Sequence, residues 1–523
     1  MRLTDHDLRQ IDEAYLEGLS PEALREVSKR LCQDLKEARE RLNQTPENSS
    51  RPPSTRAPWA AAANETEAEE HEEKQAAAEG AEPKQGLGAE DESPKKPKVK
   101  GEAEAKPSDS QRKPGKQPGA PGHGRTQHLP VTGELVHRAE QCSACGQVLD
   151  EDAPFVACTG HYVLDIEWGD EAAPGIRVTH VKHLYGDTGC GCGHQTRRLP
   201  QRAEKDVQWS VEISEWHLVG PGLMALIVCL ALRMRLSRAR IRELLGTWLG
   251  ITLATGTLNQ CVHEAAHAVL PVEAQLIDEV NRAELLHGDE TSWKEAGKGL
   301  WLWVFTSTAV TFYLIGYRTR QLLDNLLGEA FAGWLMSDGY QAYRAYRKRL
   351  RCWAHLVRKA RGLEESLVKS SQRFGKQTLE LLHALMQAVY EAREGPGEDL
   401  KAKHQRQLDA FRGCCERYRD AEHEKTRQLA REFLNDWEAI FAVLSHPQLP
   451  LTNNQAECAL RHWVILRKLC FGTRTEQGSR ALGLLASVID TCHQRRVSPW
   501  TYLAEVIRRR RQGGDAPPLP AAA

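Results

Sequence analysis

The sequence predicts a mixed α/β core that follows a cysteine-rich strand domain and an all-helical region. Residues 283–338 alternate strand-like runs, rich in β-branched and aromatic residues, with one helical pattern. Upstream, four of the 14 cysteines form two close pairs, and the stretch between those pairs and the core has helical periodicity. A chain of 523 residues with these changes of pattern is expected to hold several structural units.

The N-terminal segment, residues 1–44, is predicted to be a helix. Its apolar residues alternate at spacings of four and three, as in a coiled-coil seam. Ser28 and Ala38 interrupt that seam, so an ordinary amphipathic helix is the alternative. Residues 45–128 contain few large apolar side chains and much Ala, Glu, Lys, Pro and Gly, which predicts a disordered linker.

The formal net charge of −1 combines segments of opposite character. Residues 64–104 carry 13 acids and six lysines, whereas residues 344–361 carry eight Arg or Lys and no acid. The near-neutral total therefore does not exclude a nucleic-acid partner. The longest apolar run falls short of the ~20 residues of a spanning helix. With no apolar leader and with isolated cysteines, we expect a cytoplasmic protein without membrane contact.

The domain predicted over residues 129–203 contains Cys142 and Cys145 in one glycine-containing turn and Cys190 and Cys192 in another. Two such pairs of soft thiolates can bind Zn²⁺ tetrahedrally. Four reduced cysteines without a metal are the alternative, and one ligand could be replaced by a neighbour. The candidate replacements are Cys158, His161 and His194.

Residues 204–282 are predicted to be helical, and residues 236–266 have the rhythm of a helix-turn-helix with Gly250 at the turn. His263, Glu264 and His267 in this region match the HExxH pattern of zinc proteases. A chance match is expected in a chain with 20 histidines, and no third ligand stands out. A metalloprotease is retained only as an alternative.

The core over residues 283–490 is predicted to have three strands, a helix and a fourth strand, with a helical insertion at about 363–445 and a C-terminal helix and tail over 491–523. Asp289 follows an apolar strand, Asp338 ends another, and Glu457 lies near a helix start. Carboxylates brought together at one sheet edge repel one another unless divalent cations neutralise them, and Mg²⁺ or Mn²⁺ prefers such oxygen ligands. Taken singly, each residue is better explained locally, Asp338 as part of an Asp-Gly turn and Asp289 as the cap of a strand.

Several motifs occur in the order found in one family. They are RKPGKQPGAPGHGR at 112–125, CSACG with the later GCGC, HGDETSW, SDGYQAY, CWAHLVRKA, and LTNNQAECALRHWVILRKLC. Over nearly its whole length the chain resembles transposases of the insertion-sequence sixty-six family, which are DDE transposases with a ribonuclease-H-like catalytic core. Gly288 and Cys458 depart from the family pattern, but neither departure removes a carboxylate.

The resemblance implies that Asp289, Asp338 and Glu457 bind the catalytic Mg²⁺ or Mn²⁺ and that the four cysteines bind Zn²⁺. Such a bacterial, nucleoid-associated enzyme would bind the element's terminal repeats, cut with metal-activated water and join the 3′-OH to target double-stranded DNA. It would act as a homo-oligomer, with accessory proteins as further candidate partners. A catalytically inactive zinc-containing DNA-binding protein derived from such an enzyme is the alternative.

Two groups of residues are assigned supporting roles. Cys352 and His355 lie one helical turn apart after Asp338, and either pack beside the site or bind a metal there. Unopposed positive charge predicts phosphate contacts. The predicted DNA-binding residues are Arg344, Arg347, Lys348, Arg349, Arg351, Arg358, Lys359, Arg461, Arg467 and Lys468.

Overall fold

The computed structural model describes residues 11, 15–16, 18–45, 48 and 129–521, except 170–171, 173, 203–208, 329–330 and 396–398. The predicted linker, its acidic stretch and the 112–125 motif therefore lie outside the described residues, apart from Thr45 and Asn48. Helix α1, Pro21–Leu42, covers part of the predicted N-terminal helix. Its seam residues Leu24, Leu35 and Leu42 are exposed, so pairing of two such helices stays a prediction.

The cysteine-rich region forms a four-stranded sheet around β3. Strand β1 pairs with β3 in parallel, while β2 and β4 pair with it antiparallel. The two long strands, β2 and β3, bring the turns that carry the cysteine pairs to one end of the sheet. The strands are β1 Gly133–His137, β2 Phe155–Trp168, β3 Ile176–Gly189 and β4 Gln195–Arg197.

Helices fill the next region. The Ser237 side chain caps α3 by accepting the Arg240 N–H, and Gly250 ends that helix at φ 67°, which favours glycine. Helix α4 follows this turn, so the predicted helical hairpin is present, and most of the second half of α4 is buried. The helices are α2 Pro221–Val228, α3 Arg238–Leu249, α4 Thr255–Val269 and α5 Glu273–Arg282.

The core sheet has the strand order β7-β6-β5-β8-β9. Strands β5, β6 and β7 are antiparallel neighbours, whereas β8 pairs in parallel with both β5 and β9. The three-residue β9 was not predicted, because its sequence RLR lies within a basic run and is too short for a strand pattern. The elements are β5 Leu285–Glu295, β6 Lys298–Thr306, β7 Thr311–Gly316, α6 Arg320–Leu327, β8 Trp334–Ser337 and β9 Arg349–Arg351.

A group of helices between β9 and the last part of the chain has its own apolar core, which includes Phe374, Phe411, Phe433 and Trp437. It corresponds to the predicted insertion, and α7 links it to β9. The helices are α7 Trp353–Glu364, α8 Lys369–Glu394, α9 Leu400–Lys403, α10 Gln405–Tyr418, α11 Glu424–Asn435 and α12 Trp437–Phe441.

The last helices return to the core sheet. Helix α14 lies against β7, where the Ser487 hydroxyl accepts the Tyr313 N–H at 2.8 Å. One apolar cluster extends from Leu164 on β2 to Leu519 near the C-terminus, so the four-stranded sheet, the helical region and the core share packing. Among the described helices, none is long and apolar enough to cross a membrane. The helices are α13 Asn454–Cys470, α14 Glu476–Gln494 and α15 Pro499–Arg511.

Candidate active site and metal centres

The register of the core sheet places two of the predicted carboxylates beside each other. His287 on β5 is paired with Met336 on the parallel strand β8. Asp289 lies two residues further along β5, and Asp338 is the first residue after β8. Side chains alternate with a period of two, and continuing this alternation past Ser337 places both carboxylates on the same face. Both side chains are half-buried at the point where β8 ends.

The third carboxylate comes from the first turn of α13, where Glu457 lies. Asn453, the residue directly before α13, is fully buried and connects the start of this helix to β5. Its side-chain amide donates to the Gly288 carbonyl at 2.9 Å, and its Oδ1 accepts from His287 Nδ1 at 3.0 Å. Its backbone N–H donates to the Cys352 sulfur at 3.2 Å. Asn453 therefore fixes Glu457 relative to the strand that carries Asp289.

The charges of the three carboxylates affect one another's pKa. Burial raises the pKa of Asp289 well above its ordinary value, and the charges of Asp338 and Glu457 raise it further. Burial also raises the pKa of Glu457, with Asp338 adding to the shift and Arg358 opposing it. Mutual repulsion of this kind is relieved when cations bind, so the residues fit a divalent metal.

A fourth carboxylate, Glu290, was missed in the sequence. It is buried, and it accepts hydrogen bonds from Arg318 Nε at 2.9 Å and from the Tyr343 hydroxyl at 3.0 Å. The Arg318 guanidinium lies 4.4 Å from the Trp301 ring centroid and 4.1 Å from that of Tyr340. Burial, with Asp338 nearby, raises the pKa of Glu290 to about 7. Its position directly after Asp289 was the available signal.

The two departures from the family pattern have local explanations. A Cβ at Gly288 would lie 3.3 Å from the Tyr343 hydroxyl and 3.4 Å from Phe305, so the glycine leaves room for the ring that bonds Glu290. Cys458 is exposed and contacts the Asn454 side chain at 3.4 Å. Neither contact involves one of the three predicted catalytic carboxylates.

The basic cluster at 344–361 is not unopposed in space, which corrects the sequence interpretation. Asp436 pairs with Arg344 at 3.1 Å and with Arg349 at 3.2 Å, and it also bonds Arg351. Glu432 pairs with Lys359 at 2.8 Å and also bonds Arg351. Both acids lie at or beside the end of α11, about 80 residues away in sequence, so charge counting along the chain could not find them.

Burial also separates the predicted DNA contacts into two groups. Arg351 is 2% exposed and its guanidinium donates to the Asp338 carbonyl at 3.0 Å, so it supports the fold and is not available to DNA. Arg467 donates to the Thr291 hydroxyl at 2.8 Å. Arg358 lies 3.6 Å from Glu457. The predicted residues that stay exposed are Arg344, Arg347, Lys348, Arg461 and Lys468.

The four predicted zinc ligands come together. The sulfurs of Cys142 and Cys192 lie 3.7 Å apart, those of Cys145 and Cys190 lie 3.6 Å apart, and all four lie within 4.8 Å of one another. A tetrahedral Zn²⁺ with Zn–S bonds of about 2.3 Å would separate its sulfurs by about 3.8 Å. The cluster therefore fits a tetrahedral thiolate-bound ion.

The turns that hold these cysteines require glycine, since Gly146 and Gly193 have φ values of 74° and 88°. The candidate replacement ligands have other contacts. Cys158 bonds Asp187 at 3.3 Å, His194 bonds Ser143 at 2.8 Å, and His161 packs against Trp216 with ring centroids 4.6 Å apart.

The side chains of Glu264 and His267 in the HExxH match make contacts that stabilise the fold. Glu264 is fully buried and accepts from Arg511 Nε at 2.7 Å, with His217 at 3.1 Å. His267 bonds the Val211 carbonyl at 3.0 Å. Within the described part of the chain, no cluster of three metal-binding side chains includes these histidines, so the structure gives the metalloprotease alternative no support.

The three carboxylates and, in another part of the chain, the four cysteines are donor sets of the kinds that suit divalent cations. The family model described as "Transposase IS66 family" matches residues 217–481, just over half of the chain, and spans all three carboxylates. The chain therefore belongs to this transposase family, which confirms the resemblance seen in the motifs.

A curated relative is the "Uncharacterized protein y4qI" of Sinorhizobium fredii (strain NBRC 101917 / NGR234). It is 23% identical over 302 residues, which cover 51% of this chain and 55% of the relative. The chain thus matches little more than half the length of that relative.

Proposed function

We propose that this protein is a DDE transposase with a ribonuclease-H-like core, in which Asp289, Asp338 and Glu457 bind Mg²⁺ or Mn²⁺. The observation that carries the proposal is the convergence of these three carboxylates from β5, the end of β8 and the first turn of α13. The strand order β7-β6-β5-β8-β9, with three antiparallel strands followed by two parallel ones, supports the core assignment. Family membership supports the reaction class.

The chemistry is phosphoryl transfer. Bound divalent cations would activate the attacking water or 3′-OH and stabilise charge on the leaving oxygen. The protein's own part is to hold carboxylate oxygens that neutralise those cations and to keep their positions fixed before DNA arrives. Asn453 does this for Glu457, and the pairing of β5 with β8 does it for the two aspartates.

The proposed DNA path runs beside the carboxylates. A cavity of 460 Å³ next to Asp338 is lined on one side by Arg318, Arg344, His355 and Lys359 and on the other by the insertion helix α11. Arg318 and Lys359 pair with Glu290 and Glu432, so Arg344, which stays exposed, is the group proposed to contact the phosphodiester backbone. The four-stranded sheet with its zinc ion and the α3–α4 hairpin are proposed to recognise the terminal repeats. Exposed Arg240 and Arg242 on α3 would contact phosphates.

The test is a strand-transfer assay on DNA that carries the element's ends, with Mg²⁺ or Mn²⁺ supplied. Asp289→Asn, Asp338→Asn and Glu457→Gln should each abolish cleavage and joining while DNA binding is retained. Asp278→Asn, on α5, is the matched carboxylate control, since Asp278 pairs with Arg282 on the surface. If the three variants transpose like the parent, the triad assignment is wrong. If the parent binds the ends but never cuts them, the inactive DNA-binding alternative is correct.

A further inference from the structure

We propose that Cys352, His355 and Glu457 form a second binding site for a thiophilic divalent ion such as Zn²⁺, separate from the four-cysteine cluster. The Cys352 sulfur, a ring nitrogen of His355 and a carboxylate oxygen of Glu457 lie within 4.8 Å of one another. One sulfur, one imidazole nitrogen and one carboxylate oxygen form a mixed donor set that Zn²⁺ accepts and Mg²⁺ does not.

The spacing of the donors favours an ion over a direct contact. His355 Nδ1 lies 3.8 Å from Glu457 Oε1, which is too long for a hydrogen bond. Nitrogen and oxygen ligands at about 2.0–2.1 Å from one tetrahedral ion lie about 3.4 Å apart, a separation close to the one observed. In the described structure this nitrogen is buried and has no hydrogen-bond partner, which is costly unless something binds it.

The Cys352 sulfur is buried and accepts a backbone hydrogen bond, as the sulfur of a metal-bound cysteine commonly does. Cys352 is fully buried at the N-cap position of α7. Its Sγ accepts the Asn453 N–H at 3.2 Å. Backbone donors of this kind stabilise thiolate charge around metal ions.

Asn453 joins the helix of Glu457 to Cys352, because Asn453 directly precedes that helix and its N–H bonds the Cys352 sulfur. Its side chain also bonds β5, which holds the helix start in place. The competing partner of Glu457 is Arg358, whose guanidinium lies 3.6 Å from the same oxygen. An ion bound here would replace that half-buried ion pair with three direct ligands. A thiolate and a carboxylate together balance the two positive charges of the ion.

A regulatory consequence rests on the proposed function. Glu457 would belong to both sites, so Zn²⁺ held by Cys352 and His355 withdraws a carboxylate oxygen that the catalytic cations need. We expect Zn²⁺ to antagonise Mg²⁺-dependent cleavage. Removing either of the other two ligands should raise the Zn²⁺ concentration for half inhibition by at least about tenfold.

The binding test uses the full-length chain without DNA. Purified protein loaded with Zn²⁺ and freed of excess is expected to hold two ions per chain, and Cys352→Ser to hold one. The serine hydroxyl can still accept the Asn453 N–H, so the fold is retained. His355→Asn should give the same loss. Cys458→Ser is the matched control because this exposed thiol is the next residue after Glu457, and it should keep both ions.

Co²⁺ gives an independent readout, since thiolate-bound cobalt absorbs in the near ultraviolet. In Cys145→Ser/Cys192→Ser, where the four-cysteine site is disabled, one Co²⁺ with this band should remain, and adding Cys352→Ser should remove it. Only one Zn²⁺ per chain in the parent, or an unchanged content in Cys352→Ser, overturns the proposal. Failure of the proposed function would show instead as active Asp289→Asn, and Asp289 is not a ligand of this second site.

Discussion

The side-chain amide of Asn453 donates a hydrogen bond to the main-chain carbonyl of Gly288 at 2.9 Å. This contact joins residues 165 positions apart and sets the distance between the strand of Asp289 and the helix of Glu457. Both partners are buried, so no water replaces the bond when it is lost.

Asn453→Ala is therefore expected to destabilise the fold by about 2–3 kcal/mol, because the Gly288 carbonyl and the His287 ring are left unpaired. Displacement of Glu457 by about 1 Å should also lower the cleavage rate by about 100-fold. Denaturant unfolding and a cleavage assay check the two effects. Asn454→Ala, at the exposed neighbouring position, should change the unfolding free energy and the cleavage rate little. Equal losses in the two variants would contradict the proposed role of the Asn453–Gly288 hydrogen bond.

Two arginines of the basic cluster are expected to have different roles, Arg351 in the stability of the fold and Arg347 in DNA binding. Arg351→Met leaves Asp436 and Glu432 short of their shared buried partner and should cost about 3–5 kcal/mol of unfolding free energy. Arg347→Ala, at an exposed position, should cost less than about 0.5 kcal/mol. It should instead weaken DNA binding and reduce the slope of log affinity against log salt by about 1. Denaturant unfolding of both variants measures the stability effect, and DNA affinity measured at several salt concentrations measures the binding effect. An Arg351→Met variant as stable as the parent would contradict the role of Arg351 in the buried ion pairs.

The four-cysteine cluster predicts a selective loss of zinc. Cys145→Ser removes one of four thiolates and should lower the zinc content by one ion per chain, whereas Cys158→Ser should not. Cys158 is the matched control because it is an exposed thiol of the same sheet that bonds Asp187. Elemental analysis of the purified proteins measures the content. Equal zinc in both variants would show that the cluster does not hold the ion.

Sequence patterns predicted the local elements well and the spatial pairings only in part. Strands β5 to β8 were visible because β-branched and aromatic runs are local signals. Position along the chain alone did not identify Asp289 and Asp338, which were assigned through the resemblance to the transposase family, and Asp289 lies inside β5 and not after a strand. Glu290 was missed although it directly follows Asp289. Asn453 was missed because nothing in one sequence shows that a polar residue will be buried against a distant strand. Asp436 and Glu432 were missed for the same reason, and the positive cluster was therefore interpreted as free.

Helix α1 contacts the helical insertion through Glu40, and we expect this contact to be lost at acid pH. Burial alone would raise the pKa of Glu40, but hydrogen bonds from Ser366 and His423 outweigh it and lower the pKa below the ordinary 4.5. His423 Nε2 lies 3.0 Å from the carboxylate, and the Leu367 N–H donates to it at 3.1 Å. A carboxyl with a lowered pKa stabilises the folded state above its ordinary pKa, and this stability is lost as pH falls through the lowered value.

We therefore expect α1 to detach from the insertion as the pH falls below about 4.5, and Glu40→Gln to weaken the docking already at neutral pH. Hydrogen exchange of the α1 amides, followed from pH 7 to pH 3, measures this. Glu26→Gln is the matched control, because Glu26 pairs with Arg30 on the exposed face of the same helix. Protection of α1 that is the same in Glu40→Gln as in the parent at neutral pH would show that the carboxylate does not hold the helix in place.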